Sequence, residues 1–204
     1  WILNIRGRDV DYFPLALSYL IVYMEKAVLY IDREKIGPEI MAGLIGDGVV
    51  VRPYEEIYDD IRTINNKILL DPDWVNYAIY GNIEDKNLII EGQNPSIMMK
   101  TVKNKVEIEN IRRAHIKDGI AHTKYLYWLK KEVEAGRIGN QTEISVSDKL
   151  ESLRRDQEGF ICPSFAPISA FGDHGAIVHY EAHDLSDRVL AQGSFLLNDT
   201  GGNY

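Results

Sequence analysis

The residues best suited to chemistry lie near the carboxyl end of the chain. Asp199 follows the apolar residues 195–197 and precedes the glycine-containing turn 200–202. A carboxylate at the end of a buried strand needs a cation, a metal ion or backbone N–H groups as its partner. The local sequence therefore leaves two interpretations open: Asp199 either caps the turn or binds a metal ion.

Three histidines lie close together in the preceding segment. Residues 176–180 are predicted to form a strand, which would place His179 on the same face as Ile177. His179 would then either make a hydrogen bond within the sheet or point into a cleft and bind a peptide carbonyl or move a proton. His174 and His183 would lie beyond opposite ends of the strand, so their spacing does not favour one shared metal ion.

Composition excludes several classes of protein. The 204 residues are 45% hydrophobic and 26% charged with a net charge of -8, which is typical of a globular protein and does not favour a nucleic-acid surface or binding to an anionic membrane. The single cysteine, Cys162, cannot form an internal disulfide, which favours a reducing, cytoplasmic location. No apolar run reaches the roughly 18 residues that a membrane span needs, so no membrane partner is expected.

The first half of the chain alternates predicted strands and helices, which indicates an α/β layer with partly parallel strands. Residues 18–24 and 27–32 are predicted to form a hairpin whose lack of alternation indicates burial on both faces. The expected succession continues with helix 34–44, strand 49–52, helix 54–66, strand 68–70, helix 73–80 capped by Asp71 or Asp73, and strand 88–90.

The second half begins after the turn cluster at residues 91–96. A helix is predicted from the N-cap Asn104, with Glu107 as the reciprocal acid, to about Ala135. A second helix follows Thr142, and short strands are expected at residues 161–169, 176–180 and 195–199. Two helices followed by strands indicate an α+β domain, and its sheet is expected to continue beyond Tyr204.

Two segments near the carboxyl end carry a recognisable pattern. Residues 175–180 read G-A-I-V-H-Y, and residues 197–204 read L-N-D-T-G-G-N-Y. They resemble the Xaa-Pro aminopeptidases (aminopeptidase P) of the pita-bread metallopeptidase superfamily, in which the second segment reads L-x-D-S-G-G-Q-Y. Thr200 replaces the serine of that pattern, and Asn198 stands where an apolar residue is usual. Asn198 is expected to affect packing more than metal ligation. Residues 1–14, 103–114 and 156–165 resemble further segments of the family in the same order.

The resemblance implies a fold and a division of the chain. The fold class it implies is an α/β creatinase-like domain followed by an incomplete α+β pita-bread catalytic domain. We expect the first domain at residues 1–98 and the second at residues 99–204. The chain is expected to be an interior fragment of such an enzyme.

The resemblance also implies a site. Asp199 matches a metal ligand in a site for two divalent ions, most often Mn²⁺, and His179 matches a substrate-binding histidine. The remaining ligands and the catalytic histidine would lie beyond Tyr204, so no catalytic residue is assigned here and the fragment alone is expected to be inactive. The implied substrate is a peptide with proline in second position, and a homodimer is expected. The alternatives are a non-catalytic pita-bread relative that binds peptides or acts as a chaperone, and an α/β interaction module unrelated to enzymes.

Overall fold

The computed structural model describes residues 1–204, which form two units. The first comprises Trp1–Val10 and Pro14–Lys103, and the second comprises Asp11–Phe13 and Asn104–Tyr204. The division lies a little beyond residue 98 because the helix Pro95–Thr101 belongs to the first unit.

The first unit is a layered α/β arrangement. Strands β1 and β2 form an antiparallel hairpin, β2 pairs with β3 in parallel, and β4 pairs with β5 in parallel. This succession confirms the predicted α/β class. The elements in chain order are β1 (Ser18–Val22), β2 (Ala27–Ile31), α1 (Pro38–Gly46), β3 (Val49–Arg52), α2 (Ile57–Arg62), β4 (Ile68–Leu70), α3 (Tyr77–Asn82), β5 (Ile89–Glu91) and α4 (Pro95–Thr101).

Strand β2 is buried on both faces, as its uninterrupted apolar sequence predicts. Val28 and Tyr30 pack with side chains from α2 and α3, whereas Leu29 and Ile31 pack with Leu44 of α1 and with β3. A strand that is buried on both faces carries apolar residues at successive positions, so its sequence does not alternate between apolar and polar residues.

Helix α3 begins later than predicted. It was expected from Asp73, but it begins at Tyr77 because Asn76 is the N-cap and its side chain accepts a backbone N–H of the first turn. Asp71 instead accepts a hydrogen bond from the backbone N–H of Asn94 at 2.7 Å, which joins the segments that follow β4 and β5. The prediction of Asp71 or Asp73 as the cap was therefore wrong.

The second unit contains two helices and two antiparallel strand pairs, β6 with β9 and β7 with β8. This order confirms the predicted α+β succession. A search of every helix for a membrane-spanning segment of sufficient length and hydropathy finds none. The elements are α5 (Lys105–Glu134), α6 (Glu143–Arg155), β6 (Cys162–Pro163), β7 (Ile168–Phe171), β8 (Leu196–Asp199) and β9 (Gly202–Asn203).

Helix α5 has the predicted capping box. Asn104 Oδ1 accepts the backbone N–H of Glu107 at 2.9 Å, and the Glu107 carboxylate accepts the N–H of Asn104 at 2.9 Å. Burial along α5 is uneven, because Ala121 and Tyr125 lie in the core whereas Val106 is exposed. The core of this unit therefore forms along the later turns of α5, where α6 and β7 also contribute.

Candidate functional site

Helix α6 buries a stripe that is charged at both ends and apolar between them. Glu143, Val146, Leu150 and Arg154 are each no more than 2% exposed, and their spacing of three, four and four residues places them on one helix face. The acid lies at the N-terminus and the base near the C-terminus, where each complements the helix dipole. Both charges nevertheless need partners, because an unpaired buried charge is strongly unfavourable.

Arg154 finds its partner on α5 and also holds the turn that follows β8. Its Nε and Nη2 donate to the two carboxylate oxygens of Asp118 at 2.7 and 3.2 Å. The Nη2 atom also donates to the Thr200 hydroxyl at 2.8 Å. Thr200 directly follows Asp199, so this buried ion pair fixes the backbone immediately after the candidate metal ligand.

Tyr204 completes the same network from the other end of the turn. Its hydroxyl donates to Asp118 Oδ1 at 2.9 Å. Burial would raise the pKa of Asp118, but the hydrogen bonds and charge of Arg154, together with Tyr204, hold that pKa below its usual value. Burial and the neighbouring carboxylate raise the pKa of Tyr204 to about 12.

Two glycines allow the turn to approach this network closely. A Cβ atom at Gly201 would lie 2.3 Å from Ser164 Oγ, and one at Gly202 would lie 3.0 Å from the Tyr204 ring and 3.1 Å from Asp118 Oδ1. Neither glycine has a positive φ angle. The absence of a side chain, rather than backbone freedom, is therefore what the turn requires at both positions.

Asp199 is the last residue of β8 and is exposed. The strand ladder pairs it with Ile168 of β7, and its carboxylate makes no hydrogen bond or ion pair with the turn or any other part of the chain. The turn-capping interaction that the sequence left open is therefore not formed. A free carboxylate at a fixed point of the backbone is a suitable ligand for a hard cation.

Asn198 faces the opposite side from Asp199, as the alternation of a strand predicts. It lies across from Ser169 of β7, and the side-chain polar atoms of both residues are buried without a hydrogen-bond partner in the protein. The departure from the family pattern at this position thus changes the interior of the unit and leaves the Asp199 face unaltered.

The predicted strand at residues 176–180 is wrong. Residues 172–176 form a short 3₁₀ helix, and residues 177–180 form a turn in which Tyr180 N–H donates to the Ile177 carbonyl at 3.3 Å. His179 is exposed and has a φ angle of 56°, in the left-handed region that few residues other than glycine adopt. The inference that His179 and Ile177 share a sheet face therefore fails, because there is no sheet at this point.

The turn before His179 nevertheless packs on the strand that carries Asp199. A Cβ atom at Gly175 would lie 3.7 Å from Cβ of Leu197, which is two residues before Asp199 on the same face of β8. Both candidate residues thus belong to one unit and to neighbouring elements. That they line a common cavity stays a prediction.

The other histidines of this segment do not join a metal site. His174 contacts Glu143, and His183 Nδ1 accepts the backbone N–H of Leu185. No three His, Cys, Asp or Glu side chains of the chain come together in a way that could hold a metal ion.

Sequence reasoning missed both buried charges of α6. The fully buried apolar residues of this helix are Val146 and Leu150. The available signal was spacing, since Glu143 and Arg154 lie in phase with those two residues. Charged residues in phase with an apolar stripe indicate either a break in the stripe or a buried network.

Comparison with known proteins assigns the chain to a family. Residues 1–107 match the creatinase/prolidase N-terminal domain, and residues 109–204 match metallopeptidase family M24. The chain belongs to the creatinase/prolidase family of metallopeptidases. The predicted fold class, a creatinase-like domain followed by a pita-bread domain, is confirmed.

Individual relatives agree with this assignment. Xaa-Pro aminopeptidase 1 of Dictyostelium discoideum is 35% identical across the whole chain, which spans 32% of that protein. The crystal structure of X-prolyl aminopeptidase from Caenorhabditis elegans, described as a cytosolic enzyme with a di-nuclear active site, is 33% identical with a TM-score of 0.92, and the chain spans 34% of it. The Xaa-Pro dipeptidase from Bacillus anthracis has a TM-score of 0.70 at 21% identity and supports the fold alone. The chain thus spans about a third of the length of the aminopeptidases it matches.

Replacing Asp118 with Asn at pH 7 is expected to lower the free energy of unfolding by about 3–5 kcal/mol, because Arg154 would stay buried without a counter-ion. Urea denaturation measures the change, and the exposed Asp148→Asn on α6 is the control. The Asp118 pKa is lowered in the fold, so its stabilisation is complete above the unfolded pKa of about 3.9 and is lost as the pH falls further. The difference between wild type and D118N should therefore shrink below about pH 4, and a difference that is independent of pH would contradict this account.

Gly202→Ala and Gly119→Ala are expected to change stability in opposite directions. An added Cβ at Gly202 meets Tyr204, Asp118 and Phe160, so we expect a loss of about 1–3 kcal/mol. Gly119 lies within α5 with open space around it, and alanine there should stabilise the helix by up to about 1 kcal/mol. Thermal unfolding of the two variants compares them directly, and equal shifts would show that close approach is not what selects glycine at 202.

Proposed function

We propose that the protein containing these 204 residues removes the N-terminal residue from peptides that have proline in second position. The observation that carries this proposal is the exposed Asp199 carboxylate, which lacks a partner and lies at a rigidly held strand end. Relatives named Xaa-Pro aminopeptidases match the chain from end to end and support the same conclusion.

Asp199 is proposed to contribute one anionic oxygen to a site for two divalent cations. The strand ladder with Ile168 and the Arg154–Thr200 hydrogen bond fix its backbone on both sides. Two such cations, when bound, supply an activated water and polarise the scissile carbonyl. The di-nuclear site described for the C. elegans relative supports the number of ions, and Mn²⁺ is proposed from the resemblance.

His179 is proposed to bind the substrate. Its imidazole is exposed and makes no hydrogen bond within the chain, so both ring nitrogens are free to contact a peptide. A peptide bond before proline has no N–H group and cannot donate a hydrogen bond. A protein group that donates to the substrate carbonyl is therefore a suitable way to orient such a bond. A cytoplasmic location and a homodimer are proposed as well, and the description of the C. elegans relative as cytosolic supports the location.

Asp199→Asn in the full-length protein is expected to lower kcat/KM for release of arginine from Arg-Pro-Pro by more than about a hundredfold. Loss of a group that merely supports a metal ligand costs about 10–100-fold, and loss of a ligand should cost more. Bound metal, measured by elemental analysis, should fall in parallel. Asp148→Asn, at an exposed acid of α6 in the same unit, is the matched control.

The activity of the wild-type proteins distinguishes an aminopeptidase from a non-catalytic relative. A full-length protein that binds metal but releases no residue from any Xaa-Pro peptide would favour the non-catalytic alternative. The 204-residue chain is expected to release none, and Mn²⁺-dependent release by this chain alone would contradict the proposed ligand set.

His179→Ala is expected to lower kcat/KM by about tenfold to a hundredfold, which corresponds to the loss of one strong hydrogen bond to the substrate. Metal content should stay unchanged because His179 is not proposed as a ligand. His115→Ala, at an exposed position on α5, is the control and should retain full activity. A fall in metal content with H179A would overturn the assignment of His179 as a substrate-binding residue.

A further inference from the structure

Glu143 is the second buried charge of α6, and its partners all belong to one loop. Its carboxylate is fully buried and accepts hydrogen bonds from the backbone N–H of Phe171 at 2.6 Å and of Arg188 at 3.2 Å. It also accepts from the Tyr180 hydroxyl at 2.7 Å and contacts His174 Nδ1 at 2.9 Å. The N-terminus of a helix and four donors together stabilise an anion in this position.

These partners lie at the beginning, the middle and the end of residues 171–188. The backbone N–H of Glu143 also donates to the Arg188 carbonyl at 3.1 Å, and the N–H of Ile144 donates to Asp187 Oδ1 at 3.0 Å. The first turn of α6 therefore closes the loop at both ends. We refer to residues 171–188 as the His179 loop.

His174 links the carboxylate to the only cation of the loop. Its Nε2 lies 2.9 Å from Arg188 Nη2, and a guanidinium can only donate, so Nε2 is the acceptor. Its Nδ1 is then the donor to Glu143, and Arg188 also pairs with Asp173. The imidazole ring lies against Tyr180, with ring centroids 4.6 Å apart.

The backbone of His179 needs such an anchor. A φ angle of 56° is unfavourable for a residue with a side chain and persists only where its surroundings hold it. Tyr180 is the next residue, and its side chain is the one in the turn that reaches Glu143. The turn itself contributes only the 3.3 Å backbone hydrogen bond between Tyr180 and Ile177.

We propose that Glu143 is a positioning residue for His179, holding its loop in the strained conformation that presents the imidazole to the substrate. The positional part stands on the geometry alone, and the part that concerns substrate rests on the proposed function. Arg154, on the same face of α6, holds the Asp199 turn in the same way, so one helix supports both candidate site residues.

The test of position uses the full-length protein that contains these residues and does not depend on activity. Glu143→Gln keeps the shape of the side chain but removes its charge and faces an N–H₂ group toward donors. Hydrogen exchange across residues 171–188 should become at least about tenfold faster, while the α5 amides near Ala121 and Tyr125 should not change. Glu132→Gln is the matched control, because Glu132 is also buried but pairs with Arg137, which is not a partner of Glu143.

Tyr180→Phe keeps the test valid if Glu143→Gln fails to fold. It removes one donor and leaves the carboxylate with its other three. The Tyr180 hydroxyl also lies 3.2 Å from Ser186 Oγ, so faster exchange should then appear around residues 177–186 and nowhere else. Unchanged exchange of the His179 loop in a folded E143Q or Y180F protein would overturn the proposal, and so would an equal acceleration throughout the chain.

The test of function uses the full-length protein. E143Q should lower kcat/KM by about tenfold to a hundredfold. KM and kcat should each change in the same direction as in H179A, and the metal content should stay unchanged. The double variant E143Q/H179A should be little worse than H179A, because both changes remove the same contact. Additive losses would overturn the link between Glu143 and His179. An inactive wild type would defeat the proposed function while the exchange result still decides whether Glu143 positions the loop.

Discussion

The cost of burying charge governs the architecture of the second unit. Helix α6 takes an acid and a base out of water at positions about 16 Å apart along its axis, and neither can stay there unless other elements bring partners to it. Asp118, Thr200 and Tyr204 converge on Arg154, whereas residues from the start, middle and end of the His179 loop converge on Glu143. The turn that follows β8 and the His179 loop thereby acquire fixed positions. The apolar residues between the two charges, Val146 and Leu150, place α6 against the core.

This arrangement fixes the backbone near each candidate residue and leaves the side chain of that residue exposed. Asp199 and His179 are both exposed and make no side-chain hydrogen bonds within the chain, yet each is adjacent to a residue bonded to a buried charge, Thr200 in one case and Tyr180 in the other. A functional group is most effective when its backbone is fixed and its side chain is free for the ligand, since ordering is then completed during folding. Gly201 and Gly202 serve the same end, because a side chain at either position would push the turn away from its anchor.

Prediction succeeded where neighbouring residues decide the structure. The hairpin of β1 and β2, the strand β3, and the Asn104–Glu107 capping box follow from turn residues, apolar runs and cap chemistry that lie within a few positions. Prediction failed at residues 176–180, where an apolar, β-branched sequence is typical of a strand. There the Tyr180 hydroxyl bonds to a carboxylate 37 positions away, and no local pattern encodes that bond. The late start of α3 is a smaller and purely local failure, since Asn76 competes with two aspartates for the cap.

The sequence by itself determined the α/β and α+β character of the two halves, the β1–β2 hairpin and, through its resemblance to a known family, the two candidate residues, because short motifs and apolar runs are properties of the chain alone. Only the tertiary structure decided that Asp199 is free of the turn, that His179 occupies a left-handed turn and not a strand, and that Glu143 and Arg154 hold the segments around them. The physical reason is distance along the chain: the partners of a buried charge are selected by packing, and α6 recruits them from residues as far apart as 118 and 204.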